Sequence, residues 1–110
     1  MVRVAIILGV FLSFAANAQT VRMESYLYPE NETFRTFNKL YLAGVKDGLI
    51  LYSTSGTDKL FCIPGNLALT TEQADDILLG WAKKRTKIIN DLPIAIALLG
   101  GLKETFPCAK

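Results

Sequence analysis

The sequence has no histidine and only two cysteines among its 110 residues. Without histidine it lacks the usual general base, the commonest transition-metal ligand and the partner of every Ser-His or Cys-His nucleophile. The acid–base groups that remain are carboxylates, and the nearest candidates are Asp47, Asp58, Asp75 and Asp76. None of the four lies in a recognisable catalytic context. We therefore expect no catalytic residue, no metal site and no cofactor, and hence a binding protein instead of an enzyme.

The sequence also lacks an apolar run long enough to cross a bilayer. Its longest run, residues 4–14, has eleven residues, whereas a membrane-spanning helix needs about 20. Arg3 precedes this run, and residues 15–18 (Ala-Ala-Asn-Ala) follow it with small side chains at the positions that a signal peptidase requires. This three-part layout is that of a secretory signal peptide. We expect cleavage between Ala18 and Gln19 and export to a Gram-negative periplasm.

The rest of the chain, residues 19–110, is predicted to be a single domain. Removing the 18-residue leader leaves 92 residues, which is enough for one hydrophobic core. The formal net charge falls from +2 to +1, because the leader contains one arginine and no acidic residue. A nearly neutral surface gives no electrostatic reason to bind nucleic acid or an anionic membrane. We expect a protein that binds neither once the leader is removed.

Cys62 and Cys108 are predicted to form a disulfide. An even pair of cysteines in an exported protein is usually oxidised, and two free thiols are the alternative. The cysteines are 46 positions apart, which excludes a CxxC-type redox pair. In the chain-entropy model, closing a loop of this length contributes roughly 4 kcal/mol to the free energy of unfolding.

Apolar residues that recur at intervals of three and four predict an all-α fold, a small bundle of three main helices plus short ones. Residues 19–32 are predicted to be an extended arm that is partly docked on the domain. In the first main helix, one face is predicted to pack in the core and carries Phe34, Phe37, Tyr41, Val45, Leu49 and Tyr52. Gly44 and Gly48 lie on the same face, and such pairs are typical of a close approach by another helix.

The starts and ends of the other two main helices have clear signals. Thr70 and Gln73 form a capping box for the second helix. The third helix begins near Pro93, where a proline is tolerated, and ends before Pro107. Gly100 and Gly101 lie in its middle, and they indicate either a weak point or a close helix crossing.

Two polar segments are candidates for contacting a partner, Ser53–Lys59 and Lys83–Asp91. The second is favoured because it adjoins the only tryptophan, and Trp and Arg are the residue types most often found as interface hot spots. The lysines add positive charge that speeds encounter with an acidic cleft. The predicted partner-binding residues are Trp81, Lys84, Arg85, Lys87, Asn90 and Asp91. The alternative is a capped helix end with Trp81 buried in the core.

Four short motifs resemble those of the Tai/Rap family, the amidase immunity proteins of type VI secretion. They cover most of the chain from about Thr33 onward and occur in the order that the family has. They are Tyr41–Gly48 (with Tyr-Leu-Ala-Gly), Leu60–Pro64 (with Phe-Cys-Ile-Pro), Leu69–Gln73 (with Leu-Thr-Thr-Glu-Gln) and Leu102–Cys108 (ending in Phe-Pro-Cys). Each motif is weak alone, and the four in order are fairly specific.

The resemblance implies a periplasmic homodimer that binds a secreted peptidoglycan amidase and blocks its active site. Relatives often have a short His-Pro-Glu-like bend after the second helix, where this chain has Lys84–Asp91. This is the segment expected to contact the effector, so the effector of this chain is expected to differ from theirs. An apolar content of 51% in so short a chain also favours a homodimer. The alternative function is a small periplasmic stress chaperone with one disulfide. Without histidine, its acid switch would depend on carboxylates.

Overall fold

The computed structural model describes residues 20–56, 58–85 and 89–109. The predicted signal peptide with its cleavage site and the predicted contact residue Lys87 lie outside the described residues. Within them the structure has four helices and no β-strand, which confirms the predicted all-α class. The helices are α1 (Met23–Leu27), α2 (Glu32–Ser55), α3 (Thr71–Lys83) and α4 (Ile94–Thr105).

The segment before α2 is not the extended arm that the sequence indicated, because it contains α1. Two of the five residues of α1, Met23 and Tyr26, are buried in the core. The backbone just before α1 pairs with the chain just before α4, where the amide of Met23 donates to the carbonyl of Leu92 at 2.8 Å and the amide of Ile94 donates to the carbonyl of Val21 at 3.0 Å. The N-terminal segment is therefore fixed to the domain.

Helix α2 is longer than its sequence signals suggested. The side chain of Asn31 accepts a hydrogen bond from the amide of Phe34 and caps its start, but the helix continues through Ser55, so the loop that was predicted to begin at Ser53 begins only at Gly56. The hydroxyl of Ser53 is buried and donates to the carbonyl of Phe61 at 2.7 Å. Ser53 was predicted to lie in a loop. It remains helical, and its hydroxyl is satisfied by a hydrogen bond to a residue outside the helix.

Helices α3 and α4 cross closely, and glycines make this possible. The capping box predicted for α3 is present, since Thr70 and Gln73 exchange hydrogen bonds through both side chains. In α4, a Cβ atom added to Gly101 would lie 2.7 Å from the side chain of Ile77, and one added to Gly100 would lie 2.7 Å from the indole of Trp81. The mid-helix glycine pair therefore marks a close crossing and not a weak point.

We expect Gly100→Ala to lower the free energy of unfolding by about 1–3 kcal/mol, the usual cost of overpacking, because the indole of Trp81 is in the way. Gly80→Ala is the matched control, since a Cβ there would meet no atom within 4 Å. It should raise stability by about 0.5–1 kcal/mol, the intrinsic advantage of Ala over Gly in a helix. Urea unfolding measures both changes. Equal effects of the two substitutions would contradict the close crossing.

The predicted core face of α2 is wrong at three of its six positions, whereas Tyr41, Val45 and Leu49 are partly buried and pack against the core. Phe34, Phe37 and Tyr52 are half exposed, and the buried residues of α2 are Asn38, Leu42 and Ser53. Among the described residues, no helix approaches the two glycines, since a Cβ at either would have no neighbour within 4 Å. The exposed face is called the outer stripe, and it comprises Phe34, Phe37, Leu40, Gly44, Gly48, Leu51 and Tyr52.

The core lies between the inner face of α2 and the helices α1, α3 and α4. Its largest fully buried side chains are Met23, Leu42, Phe61, Leu78, Ile94, Leu98 and Leu102. The disulfide between Cys62 and Cys108 is present, with Cα atoms 4.9 Å apart. Beside it, the amide of Cys62 donates to the carbonyl of Phe106 at 2.8 Å. Disulfide and hydrogen bond together join the segment after α2 to the end of α4.

None of the described helices combines the length and the apolar character of a membrane-spanning helix.

Candidate partner-binding surface

The C-terminal end of α3 forms a compact surface around Trp81. The indole is half-buried and packs against Gly100 of α4. Arg85 covers its ring, with the guanidinium carbon 4.0 Å from the ring centre. The same guanidinium donates to the backbone carbonyl of Trp81 at 3.1 Å. Trp81 is thus held in one position by packing on one side and by a cation on the other.

Glu104 of α4 completes this surface. Arg85 donates to one carboxylate oxygen of Glu104 at 2.6 Å, and the ammonium of Lys84 lies 3.6 Å from the other. The hydrogen bond from Arg85, followed by the charges of Arg85 and Lys84, lowers the pKa of Glu104. The cluster is therefore intact at neutral pH, and it weakens only when the pH falls through this lowered pKa. We call Trp81, Lys84, Arg85 and Glu104 the Trp81 cluster.

An open cleft lies beside the Trp81 cluster, between α3 and α4. Its volume is about 330 Å³, and its lining includes Asp76 and Gly80 together with three members of the cluster. Because Gly80 has no side chain and nothing within 4 Å of its Cβ position, this part of α3 leaves room for a side chain from a partner.

The structure places the predicted contact residues in two groups. Trp81, Lys84 and Arg85 come together in the Trp81 cluster. Asn90 and Asp91 instead contact the N-terminal segment, because the carbonyl of Asn90 accepts from the amide of Glu24 at 3.0 Å and the carboxylate of Asp91 lies 3.8 Å from the guanidinium of Arg22.

Sequence reasoning missed Glu104, which is 19 positions from Arg85. No local pattern links the two, and only the packing of α4 on α3 brings them together. It also missed a groove of about 320 Å³ between α1 and α2, lined by Tyr28, Pro29 and Phe34 among others. Tyr28 is 73% exposed there, and the single aromatic residues of this segment gave no periodic signal.

Among the four carboxylates considered as acid–base candidates, Asp75 has a structural role. It accepts a hydrogen bond from the hydroxyl of Tyr26, and the ammonium of Lys39 lies 3.0 Å from its other oxygen. Burial, followed by the hydrogen bond to Asp75, raises the pKa of Tyr26. The three side chains tie α1, α2 and α3 together. Elsewhere in the described ranges, no three His, Cys, Asp or Glu side chains are placed to hold a metal ion.

A family model described as Rap1a immunity proteins matches residues 17–108. The match begins before the first described residue and ends at the second cysteine, so it includes the Trp81 cluster, the outer stripe and the disulfide. The comparisons with curated proteins and with solved structures gave no match.

Proposed function

Because the chain belongs to the Rap1a immunity protein family, we propose that it is a periplasmic protein that binds a type VI secreted peptidoglycan amidase and blocks its active site. Members of such families bind a secreted effector and are generally not enzymes. We therefore expect the surface of this protein to bind a partner. Family membership also favours immunity over the alternative of a stress chaperone. The amidase, the periplasmic location and a homodimeric state are parts of the proposal.

The observation that best supports an inhibitory surface is the Trp81 cluster. Hot spots of protein interfaces are enriched in Trp and Arg, and both residue types are here half-buried and held by contacts within the subunit. A side chain that is already fixed loses less conformational entropy on binding, so less of the interaction energy is offset. The cluster is therefore suited to tight binding of a preformed cleft.

The charges beside the cluster support the same role. Lys83 and Lys84 are exposed, and Glu104 neutralises only part of the positive charge. Cationic side chains around an interface chiefly raise the association rate and fix orientation. An amidase whose cleft has an acidic mouth is the partner that this surface fits.

The location is tested by protection of cells. The proposal predicts that a neighbouring gene encodes a secreted amidase, and a strain that exports this amidase should survive when it also produces the full chain. It should lyse when it produces residues 19–110 behind a new initiator Met, because that protein stays in the cytoplasm. Equal protection by the two forms, at equal protein levels, would contradict a periplasmic site of action. N-terminal sequencing of the protective form should start at Gln19.

A further inference from the structure

The groove between α1 and α2 has two exposed aromatic side chains in its lining. Tyr28 is 73% exposed and Phe34 is 49% exposed, so within the described structure little covers either ring. The groove has a volume of about 320 Å³, which is at the lower end of the roughly 300–1,000 Å³ of ligand pockets. It therefore has room for one long side chain of a partner, and the face of an aromatic ring attracts a cation.

The same groove is negatively charged. Glu24 and Glu30 line it and are exposed, and among the described residues no lysine or arginine lines it. Neither carboxylate takes part in an ion pair within the described ranges. Carboxylates form their strongest hydrogen bonds with ammonium and guanidinium groups. The charge of the groove is therefore complementary to a cation.

Asn38 gives the groove a rigid polar wall. It is only 5% exposed, and its amide group donates to the carbonyl of Ser25 at 2.9 Å, which holds the side chain in one position. Its Oδ1 oxygen accepts no hydrogen bond from the described residues. The side chains of lysine and arginine have donors and no acceptor, so they match a groove lined by two carboxylates and an amide oxygen.

The groove adjoins the segment Lys83–Asp91, which is expected to contact the amidase. The amide of Glu24 donates to the carbonyl of Asn90 at 3.0 Å, so one edge of the groove lies against the end of this segment. The beginning of the segment carries the Trp81 cluster. A partner that covers the segment can therefore contact the cluster and the groove at once.

We propose that the groove between α1 and α2 binds a lysine or arginine side chain of the amidase, as a second contact beside the Trp81 cluster. The inference rests on the proposed function and adds a contact of stated chemistry to it. The cation lies against the ring of Tyr28 and pairs with Glu24 or Glu30. The two contacts have opposite charge, so the amidase must present an acidic and a basic patch side by side, which fixes its orientation.

Neutralising the two carboxylates tests the charge of the groove. Glu24→Gln/Glu30→Gln should raise the dissociation constant of the complex with the purified amidase about tenfold, because a charge-assisted hydrogen bond is lost. Asp58→Asn/Glu72→Gln is the matched control, since it removes the same charge at two other exposed positions, and it should bind like the wild type. Titration calorimetry measures both dissociation constants.

The outcomes of this experiment separate the groove from the proposed function. A wild type that binds no amidase would overturn the proposed function together with the groove. A wild type that binds, with both double variants binding equally well, would overturn only the groove. Equal weakening by the two double variants would overturn it as well, because the net charge alone would then account for the effect.

Two substitutions of Tyr28 test the aromatic contact. Tyr28→Leu keeps an apolar side chain and removes the ring, so the dissociation constant should rise about three- to tenfold, the usual range for a cation–π contact. Tyr28→Phe keeps the ring and should bind like the wild type. Because Tyr28 is 73% exposed, the urea midpoint should be unchanged in both variants. Wild-type affinity of Tyr28→Leu, or equal losses in the two variants, would overturn the contact between a cation and the ring.

Discussion

Replacing both Cys62 and Cys108 by serine should lower the free energy of unfolding by about 4 kcal/mol, because the unfolded chain regains the freedom of a loop of this length. The disulfide joins positions 46 apart in the sequence. The whole stability of a small domain is about 5–15 kcal/mol, so the variant should be partly unfolded at 37 °C and sensitive to periplasmic proteases. Urea unfolding of the purified proteins measures the change.

The control for the disulfide prediction is the wild type in the presence of a reductant. It should unfold at the same urea concentration as the double serine variant, and the variant should not respond to the reductant. If the free energy of unfolding of the double serine variant lies within 1 kcal/mol of that of the oxidised wild type, closure of the loop by the disulfide contributes little to stability. In that case the hydrogen bond between Cys62 and Phe106 and the surrounding packing would hold the end of α4 without the disulfide.

Arg85→Glu should weaken binding to the amidase tenfold or more, which corresponds to about 1.4 kcal/mol or more. The substitution removes the guanidinium that covers Trp81 and puts a carboxylate beside Glu104. Calorimetry with the purified amidase measures the affinity. Lys59→Glu, a charge reversal at an exposed position of the other candidate segment, is the control and should bind like the wild type.

A charge swap separates the role of Arg85 in binding from its role in the fold. The double variant Arg85→Glu/Glu104→Arg restores an ion pair between the same positions, so its unfolding midpoint should return toward that of the wild type. Its binding should stay weak, because the cation no longer lies at position 85. If the swap restored binding as well, Arg85 would act only by supporting α3 and α4, and the contact with the amidase would lie elsewhere.

The sequence predicted those parts of the fold that depend on local signals. The capping box at Thr70 and the proline after α4 marked helix ends correctly, and the isolated cysteine pair identified the disulfide. The prediction for the core face of α2 was wrong at Phe34, Phe37 and Tyr52, because periodicity shows that a face is apolar without showing what covers it. The inner side of α2 includes Asn38, whose amide is buried only because it donates to the carbonyl of Ser25 at 2.9 Å. That contact depends on α1, a helix that the sequence did not reveal.

The candidate site was predictable in part for a similar reason. Trp81 and Arg85 are four positions apart in one segment, so residue type and spacing were enough to single them out. Glu104 was not predictable, because its pairing with Arg85 depends on how α4 crosses α3, and this is set by Gly100 and Gly101. Asn90 and Asp91 were grouped with Trp81 by proximity in sequence, yet their contacts are with the N-terminal segment.

The most direct test of the central claim uses purified components and measures inhibition of the amidase that the proposal predicts to be encoded beside this gene. Cleavage of peptidoglycan stem peptides would be followed while the mature protein is titrated into a fixed amount of enzyme. Hydrolysis should fall linearly and stop near one chain per enzyme, because a tight inhibitor with no turnover acts stoichiometrically, and the protein itself should release no product. Full amidase activity at a tenfold excess of the folded, oxidised protein would contradict the claim.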